Sequence, residues 1–396
     1  MFGRSPVSTD PEKIDELLSR GVAETIPSAD SLKKLLMSGK RLRIKLGVDP
    51  TSPNIHVGRS VPLLKLRDFQ ELGHQVVFIA GDFTAVIGDT SDKDAERPML
   101  AREQIEENMK TYRAQVGKIL DLSKTEFRRN SEWLGKLTYR DIGEHADVFS
   151  VSDFIARENI KRRLDQGKRV SLREVLYPLM QGYDSVVISA DVELGGSDQR
   201  FNVLAGRPLQ EKFGQAPQHC LLFSLVTDPS GAKMSSSWGN TINITDEPDT
   251  MFGKTMAVPD ALIKGYFISM TRLPLARVDE LLQGHPRDAK LALAHEFVRM
   301  YHSGRAADAA KNAFINTFSK GEVPSSMPSS AGKTYLDAIH NAGVVESKSE
   351  IRRLFAQGAV SSVVGGATIE NPNTELTNPD KLKIGKKIFL EVRPEK

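Results

Sequence analysis

Residues 41–80 read RLRIKLGVDPTSPNIHVGRSVPLLKLRDFQELGHQVVFIA, and the architecture can be built outward from them. Arg41–Val48 has the apolar density of a strand. Val61–Leu72 repeats apolar residues at helical spacing and stops at Gly73. Gln75–Ala80 contains VVFIA, a wholly apolar run of the kind enclosed on both faces of a parallel sheet. Strand, helix, strand in this order predicts a right-handed crossover unit and an α/β fold. Ligands of such sheets bind beyond the carboxyl ends of the strands, where Asp49, His56, Gly81 and Asp89 fall.

Upstream, Thr9-Asp10-Pro11-Glu12 supplies a cap and a first-turn proline ahead of Ile14, Leu17 and Leu18, which predicts a helix ending before Gly21. Downstream, Arg102–Val192 is mostly helical by periodicity. It carries basic runs at Arg128-Arg129 and Lys161-Arg162-Arg163, which a solvated helix face explains more simply than a nucleic-acid contact does. The division expected is an α/β domain over 1–245, a helical domain over 246–318, a Ser-, Pro- and Gly-rich linker over 319–332 and a small unit over 333–396. That last unit is read as two short helices, an apolar run at Val360, Val363 and Val364, and a strand Lys387–Val392.

Composition excludes several classes of protein. With 396 residues, 39% hydrophobic and 27% charged, the chain is an ordinary multidomain globular sequence. It has no apolar run long enough to span a membrane. The opening MFGRSPVSTDPEKIDELL breaks any secretion signal with Pro6 and several acids, so the expected compartment is the cytoplasm. Cys220 is the single cysteine, and the eight histidines lack cysteine partners at metal-ligand spacing, so no structural metal is expected. A net charge of +3 leaves nucleic-acid binding to local patches.

Four motifs carry chemistry. His56-Val57-Gly58-Arg59 follows Asp49-Pro50-Thr51 at a strand end, where a glycine lets backbone approach a nucleotide. Gly195-Gly196-Ser197-Asp198-Gln199 follows a short strand-like run, Asp191–Leu194, and is either a tight turn or a second close-approach loop. Tyr177, Gln181 and Asp184 stand at i, i+4 and i+7 on one face of an otherwise apolar helix, where polar groups must find partners. Lys233-Met234-Ser235-Ser236-Ser237 has the composition of a polar loop, and a lysine with hydroxyls suits a loop that closes over phosphates. Its position downstream of the histidine motif gives it weight.

DPTSPNIHVGR, the Tyr177/Gln181/Asp184 stripe, GGSDQ and KMSSS, in this order and spacing, resemble the bacterial tyrosyl-tRNA synthetases. SKSEIRRLFAQGAV and LKIGKKIFLEV near the end resemble an S4-type RNA-binding module, and the likeness runs from about Leu32 to the C-terminus. The resemblance implies a Rossmann-type parallel-sheet catalytic domain, a helical anticodon-binding domain and a small α+β S4-like domain. It implies a homodimer acting on L-tyrosine, ATP as its Mg2+ complex and tRNA(Tyr), with no tightly bound protein-ligated metal. Residue by residue, Asp184 would accept the tyrosine phenol, Tyr177, Gln181 and Asp89 would hold its ammonium group, Gln199 would lie near its carboxylate, and Asp49 would border it. Thr51 and His56 would face the triphosphate. Gly58, Gly196 and Asp198 would contact adenosine, and Lys233, Met234, Ser235 and Ser236 would form the loop over ATP. The implied RNA contacts of the tail are Lys348, Arg352, Arg353, Lys386 and Lys387.

Three positions depart from the family pattern. Arg59 stands where the HIGH motif ends in His, Ser236 where KMSKS has its second Lys, and Lys45 where many members have a Tyr that contacts the phenol. An arginine beside the triphosphate would supply the charge that the loop lacks. Three alternatives share features of the sequence. A tryptophanyl-tRNA synthetase has the same two signature loops, a plain nucleotidyltransferase uses related chemistry, and a non-catalytic RNA-binding paralogue would carry altered motifs.

Overall fold

A computed structural model describes residues 6–91, 99–224, 241–319, 327–345, 347–363, 367–385 and 388–395. Its strands are β1 (Val22–Ile26), β2 (Arg43–Val48), β3 (Gln75–Ala80), β4 (Thr125–Arg129), β5 (Val192–Gly196), β6 (His219–Phe223), β7 (Ser329–Gly332), β8 (Val360–Ser362), β9 (Asp380–Ile384) and β10 (Ile388–Pro394). The chain divides into two compact units, Met1–Asp246 with Lys254–Tyr301, and Glu247–Gly253 with His302–Lys396.

The first unit is built on a six-stranded sheet of order β1-β6-β5-β2-β3-β4. All neighbours are parallel except β1, which runs antiparallel to β6. β2 and β3 pair in register from Arg43↔Gln75 to Val48↔Ala80, and Val76 to Ala80 are buried, as the apolar run requires of a strand covered on both faces. The crossover helix spans Val57–Glu71, four residues longer at its start than the apolar spacing indicates. His56 explains the difference: its Nδ1 accepts the Arg59 backbone N–H at 3.3 Å and caps the first turn. Pro62 sits inside this helix without ending it. The first helix, Pro11–Ser19, starts as its sequence indicates, with the Asp10 side chain accepting from the Glu12 and Lys13 N–H groups.

Residues 102–192 are less uniformly helical than their periodicity indicates. β4 lies at the sheet edge, and the Arg128-Arg129 run belongs to it. Edge strands carry charge that discourages further pairing, which hides them from a hydrophobic-pattern search. Both arginines are paired, Arg128 with Glu126 and Glu132, and Arg129 with Glu106. In the other basic run, Arg163 is a buried structural residue paired with Glu174.

The second unit holds a four-stranded sheet of order β7-β10-β9-β8. Tyr335–Asn341 and Lys348–Ala356 are its two short helices, capped by Thr334 and Ser347. Leu336, Ile339, Ile351, Phe355, Val360, Leu382, Ile384, Leu390 and Val392 form its core. The linker read over 319–332 is shorter than expected at its far end, because Ser329–Gly332 pairs in parallel with β10. The expected final strand is also one of three at this end of the chain, β9 having passed unnoticed.

Candidate active site

The carboxyl ends of β2 and β3, the segment after β4 and the helix Leu172–Val187 are joined by one continuous chain of hydrogen bonds. Tyr177 donates its hydroxyl to Asp49 Oδ2 at 2.9 Å, and Asp49 Oδ1 accepts from Thr84 Oγ1 at 2.8 Å. Thr84 Oγ1 accepts from Asn130 Nδ2 at 2.9 Å, and the same amide reaches Asp184 Oδ2 at 3.3 Å. Trp133 Nε1 donates to Asp184 Oδ1 at 2.7 Å. Gly81 makes room for this network, since a Cβ there would overlap both Asp49 Oδ1 and Thr84 Oγ1. A Ser171/Glu174 capping box starts the helix that delivers Tyr177, Gln181 and Asp184 to one side, as their spacing indicates.

Burial dominates the electrostatics. The Asp184 carboxyl is pushed up to about 7 by desolvation, against the pull of the nearby Lys45 charge and the donors of Trp133 and Asn130, with Glu193 adding to the rise. The Tyr177 phenol is held well above its ordinary range by burial and by the neighbouring Asp49 charge, so it is a neutral donor. Among the described residues Asp184 accepts hydrogen bonds from neutral N–H groups alone, and once ionised it has capacity to accept a further O–H.

A second cluster joins Asp89 to Gln199. Asp89 accepts from the Ser91 N–H at 3.0 Å, from Ser91 Oγ at 2.6 Å and from Gln199 Nε2 at 2.7 Å. Asp198 lies 3.5 Å from the same Gln199 amide, in the short turn that follows Gly196 at the end of β5. A third cluster surrounds Arg59. Its guanidinium donates to Thr51 Oγ1 at 3.0 Å and to Ser52 Oγ and Tyr112 Oη at 3.5 Å each. His56 caps the same turn and Gly58 sits within it.

Lys233, Met234, Ser235 and Ser236 lie outside the described residues. The chain that follows them is tied to the histidine motif, because the Val57 N–H donates to the Ile242 carbonyl at 2.9 Å and the Ile244 N–H to the Ile55 carbonyl at 3.0 Å. Gln181 reaches the site but spends its amide on Glu193 Oε1 at 3.0 Å. Sequence reasoning passed over Thr84, Asn130, Trp133, Tyr112 and Glu193. Asn130 and Trp133 were hidden by the helical reading of their segment. Glu193 carried a signal: an acid in an apolar strand run, matched by Lys45 in the neighbouring one. Among the described residues no group of three or more His, Cys, Asp or Glu is placed to hold a metal ion.

The family model described as tRNA synthetases class I (W and Y) matches residues 37–319. A tyrosine–tRNA ligase of Carboxydothermus hydrogenoformans is 44% identical, covering 96% of this chain and 98% of that protein. One from Thermotoga maritima is 42% identical over 96% of this chain and 98% of that protein. Among solved structures, a C-terminally truncated mitochondrial tyrosyl-tRNA synthetase of Coccidioides posadasii superimposes with a TM-score of 0.64 at 23% identity, covering 76% of this chain and 91% of that one. The enzyme of Archaeoglobus fulgidus complexed with L-tyrosine gives 0.60 at 23% identity, over 76% and 99%. At those identities the structural likeness speaks for the fold, while the two sequence relatives and the family model place the chain itself: it belongs to the tyrosine–tRNA ligases of the class I tRNA synthetase family.

Proposed function

We propose that the chain activates L-tyrosine with ATP, giving tyrosyl-adenylate and pyrophosphate, and then transfers the tyrosyl group to the 3′ end of tRNA(Tyr). The observation that carries the amino-acid choice is Asp184, a buried carboxylate whose only hydrogen-bond donors among the described residues are the neutral N–H groups of Trp133 and Asn130. A phenol O–H fits it, and phenylalanine would leave it short of a partner in a dry place, at a cost on the order of 1–3 kcal/mol or more.

In the first step the tyrosine carboxylate oxygen bonds to the α-phosphorus while the bond from that phosphorus to the bridging oxygen breaks, its electron pair leaving with pyrophosphate. The nucleophile is the substrate's own carboxylate, so the protein orients and stabilises charge rather than moving a proton. Tyr177, Asp89 and Gln181 hold the ammonium group, Gln199 the carboxylate, and Asp49 borders tyrosine and orients Tyr177. Thr51, His56 and Arg59 meet the triphosphate, Gly58, Gly196 and Asp198 the adenosine, and Lys233, Met234, Ser235 and Ser236 close the phosphate end. Mg2+ arrives with ATP. In the second step the terminal ribose hydroxyl attacks the tyrosyl carbonyl and AMP leaves.

The functional domains are 1–245 for catalysis, 246–318 for the anticodon and 333–396 for RNA backbone, the last through Lys348, Arg352 and Arg353 with Lys386 and Lys387, which lie outside the described residues. Exposed apolar side chains at Tyr139, Val151, Leu164 and Leu172 favour a homodimer face in the middle of the catalytic domain. Action in the cytoplasm is in keeping with the lack, among the described residues, of a helix long and apolar enough to cross a membrane.

ATP–pyrophosphate exchange with tyrosine, tryptophan, phenylalanine or no amino acid tests this reading. Exchange with tyrosine alone is the expected result; exchange with tryptophan, or none, overturns it. In the same assay Arg59→His should slow exchange and Ser236→Lys should restore it. If neither substitution, alone or combined, alters the rate, Arg59 has no part in the phosphate charge balance.

A further inference from the structure

Lys45 on β2 and Glu193 on β5 are both 0% exposed and face each other in the parallel register of the two strands. An ammonium has three N–H donors. Lys45 has an acceptor for each: Glu193 Oε1 at 2.9 Å, the Gln181 carbonyl at 2.7 Å and Ser185 Oγ at 2.8 Å. It therefore has no donor left for a substrate. Glu193 in turn accepts from Gln181 Nε2 at 3.0 Å and Ser185 Oγ at 3.0 Å. Gln181 lies three residues before Asp184 and Ser185 one after it, so the pair grips the helical turn carrying Asp184 from both sides.

Buried ion pairs rarely add net stability over apolar residues of the same shape, so stability alone is a poor account of this one. We infer that the Lys45–Glu193 pair is a positioning device for tyrosine recognition, which fixes the turn presenting Asp184 and acts on the substrate phenol only through that carboxylate. The inference rests on Asp184 being the phenol acceptor. The groups facing Asp184 are Lys45 from β2, Glu193 from β5, the N–H donors of Asn130 and Trp133 from the segment after β4, and Tyr177 from its own helix. Of these, Lys45 favours the ionised form of Asp184 and Glu193 opposes it.

The test is exchange kinetics against pH for wild type, Glu193→Gln, and Lys45→Met in the Glu193→Gln background, which avoids leaving an orphan carboxylate. Phenylalanine, which lacks the hydroxyl, is measured beside tyrosine as a competitive inhibitor. Glu193→Gln should move the acid limb of kcat/KM for tyrosine to lower pH, and adding Lys45→Met should move it back up. Near neutral pH the second change should lower kcat/KM for tyrosine about tenfold while phenylalanine inhibition stays within about twofold. A limb at the same pH in all three proteins overturns the inference. So does a parallel loss for tyrosine and phenylalanine, which is what general loosening of the fold would give. If the double variant does not fold, an unmoved limb in Glu193→Gln is decisive by itself. Failure of the tyrosine assignment is separate, since wild type would then show no tyrosine-dependent exchange.

Discussion

Asp184 is where stability and function pull apart. Its carboxyl is pushed up to about 7 in the folded chain against 3.8 in its ordinary state, because burial disfavours the charge that the proposed recognition of the phenol needs. An acid whose folded pKa is raised contributes fully to stability below its unfolded pKa, and that contribution is lost as pH rises through the folded one. Asp184→Asn removes the liability. The variant should therefore melt higher than wild type by a margin that grows between about pH 4 and pH 7 and is level above, worth a few kcal/mol in order of magnitude. Tyrosine-dependent exchange should fall by at least about a hundredfold in the same protein, because the amide is a weaker acceptor for the phenol and turns an N–H toward it. Melting curves at several pH values, with exchange rates beside them, check both halves. A margin that does not change with pH would mean that Asp184 is not the titrating group. The stripe containing Asp184 was legible because polar residues at i, i+4 and i+7 stand out on an apolar helix. The engagement of Gln181 by Glu193 was not, since it depends on a strand that only the fold brings alongside.

Among the elements, β4 shows what pattern reasoning overlooks. β2, the crossover helix and β3 were readable because apolar density and period agree there, and β3 matches its expected bounds residue for residue. TEFRR has no such pattern, being a half-buried edge strand whose arginines pair with acids. Yet the turn and short helix after it, Ser131–Leu134, deliver Asn130 and Trp133 to Asp184. Both hydrogen-bond donors to the carboxylate proposed to recognise the phenol, among the described residues, therefore come from a segment that reads as something else. Trp133→Phe keeps the ring and deletes the N–H donor. Loss of one hydrogen bond to a buried charge should lower kcat/KM for tyrosine by about tenfold or more. The loss should fall mainly on KM, with kcat within about twofold, since the bond is present before and during the reaction. Steady-state exchange kinetics separate the two, and a loss confined to kcat would place Trp133 in transition-state stabilisation instead. Arg128 stacks over the indole at 5.2 Å and should hold a phenyl ring in much the same place.

At the scale of the whole molecule, the last seventy residues carry an independent core. β7 to β10 and the helices Tyr335–Asn341 and Lys348–Ala356 bury their own apolar residues, so this segment has the makings of a separately folding module. Its starting point matters to any dissection. A Ser-, Pro- and Gly-rich stretch reads as linker up to Lys333, but Ser329–Gly332 is a strand whose backbone pairs with Glu391–Pro394. Small residues gave no hydrophobic signal there, and Gly332 is required by space, because a Cβ would overlap the Ala338 backbone. Removal of 333–396 would leave β7 without its partner, whereas removal of 327–396 takes the sheet away entire. The 1–326 chain should keep tyrosine-dependent exchange within about twofold of wild type, since the residues proposed to bind tyrosine and ATP all lie before Thr241. Its charging of tRNA(Tyr) should fall by at least about tenfold, and the salt dependence of charging should weaken, because the lost Lys and Arg residues are the ones proposed to meet phosphates. The complementary 327–396 fragment should melt cooperatively by itself. Equal losses in exchange and charging would show that the C-terminal module supports the catalytic unit rather than RNA binding, and a fragment without a melting transition would remove the claim that it folds alone.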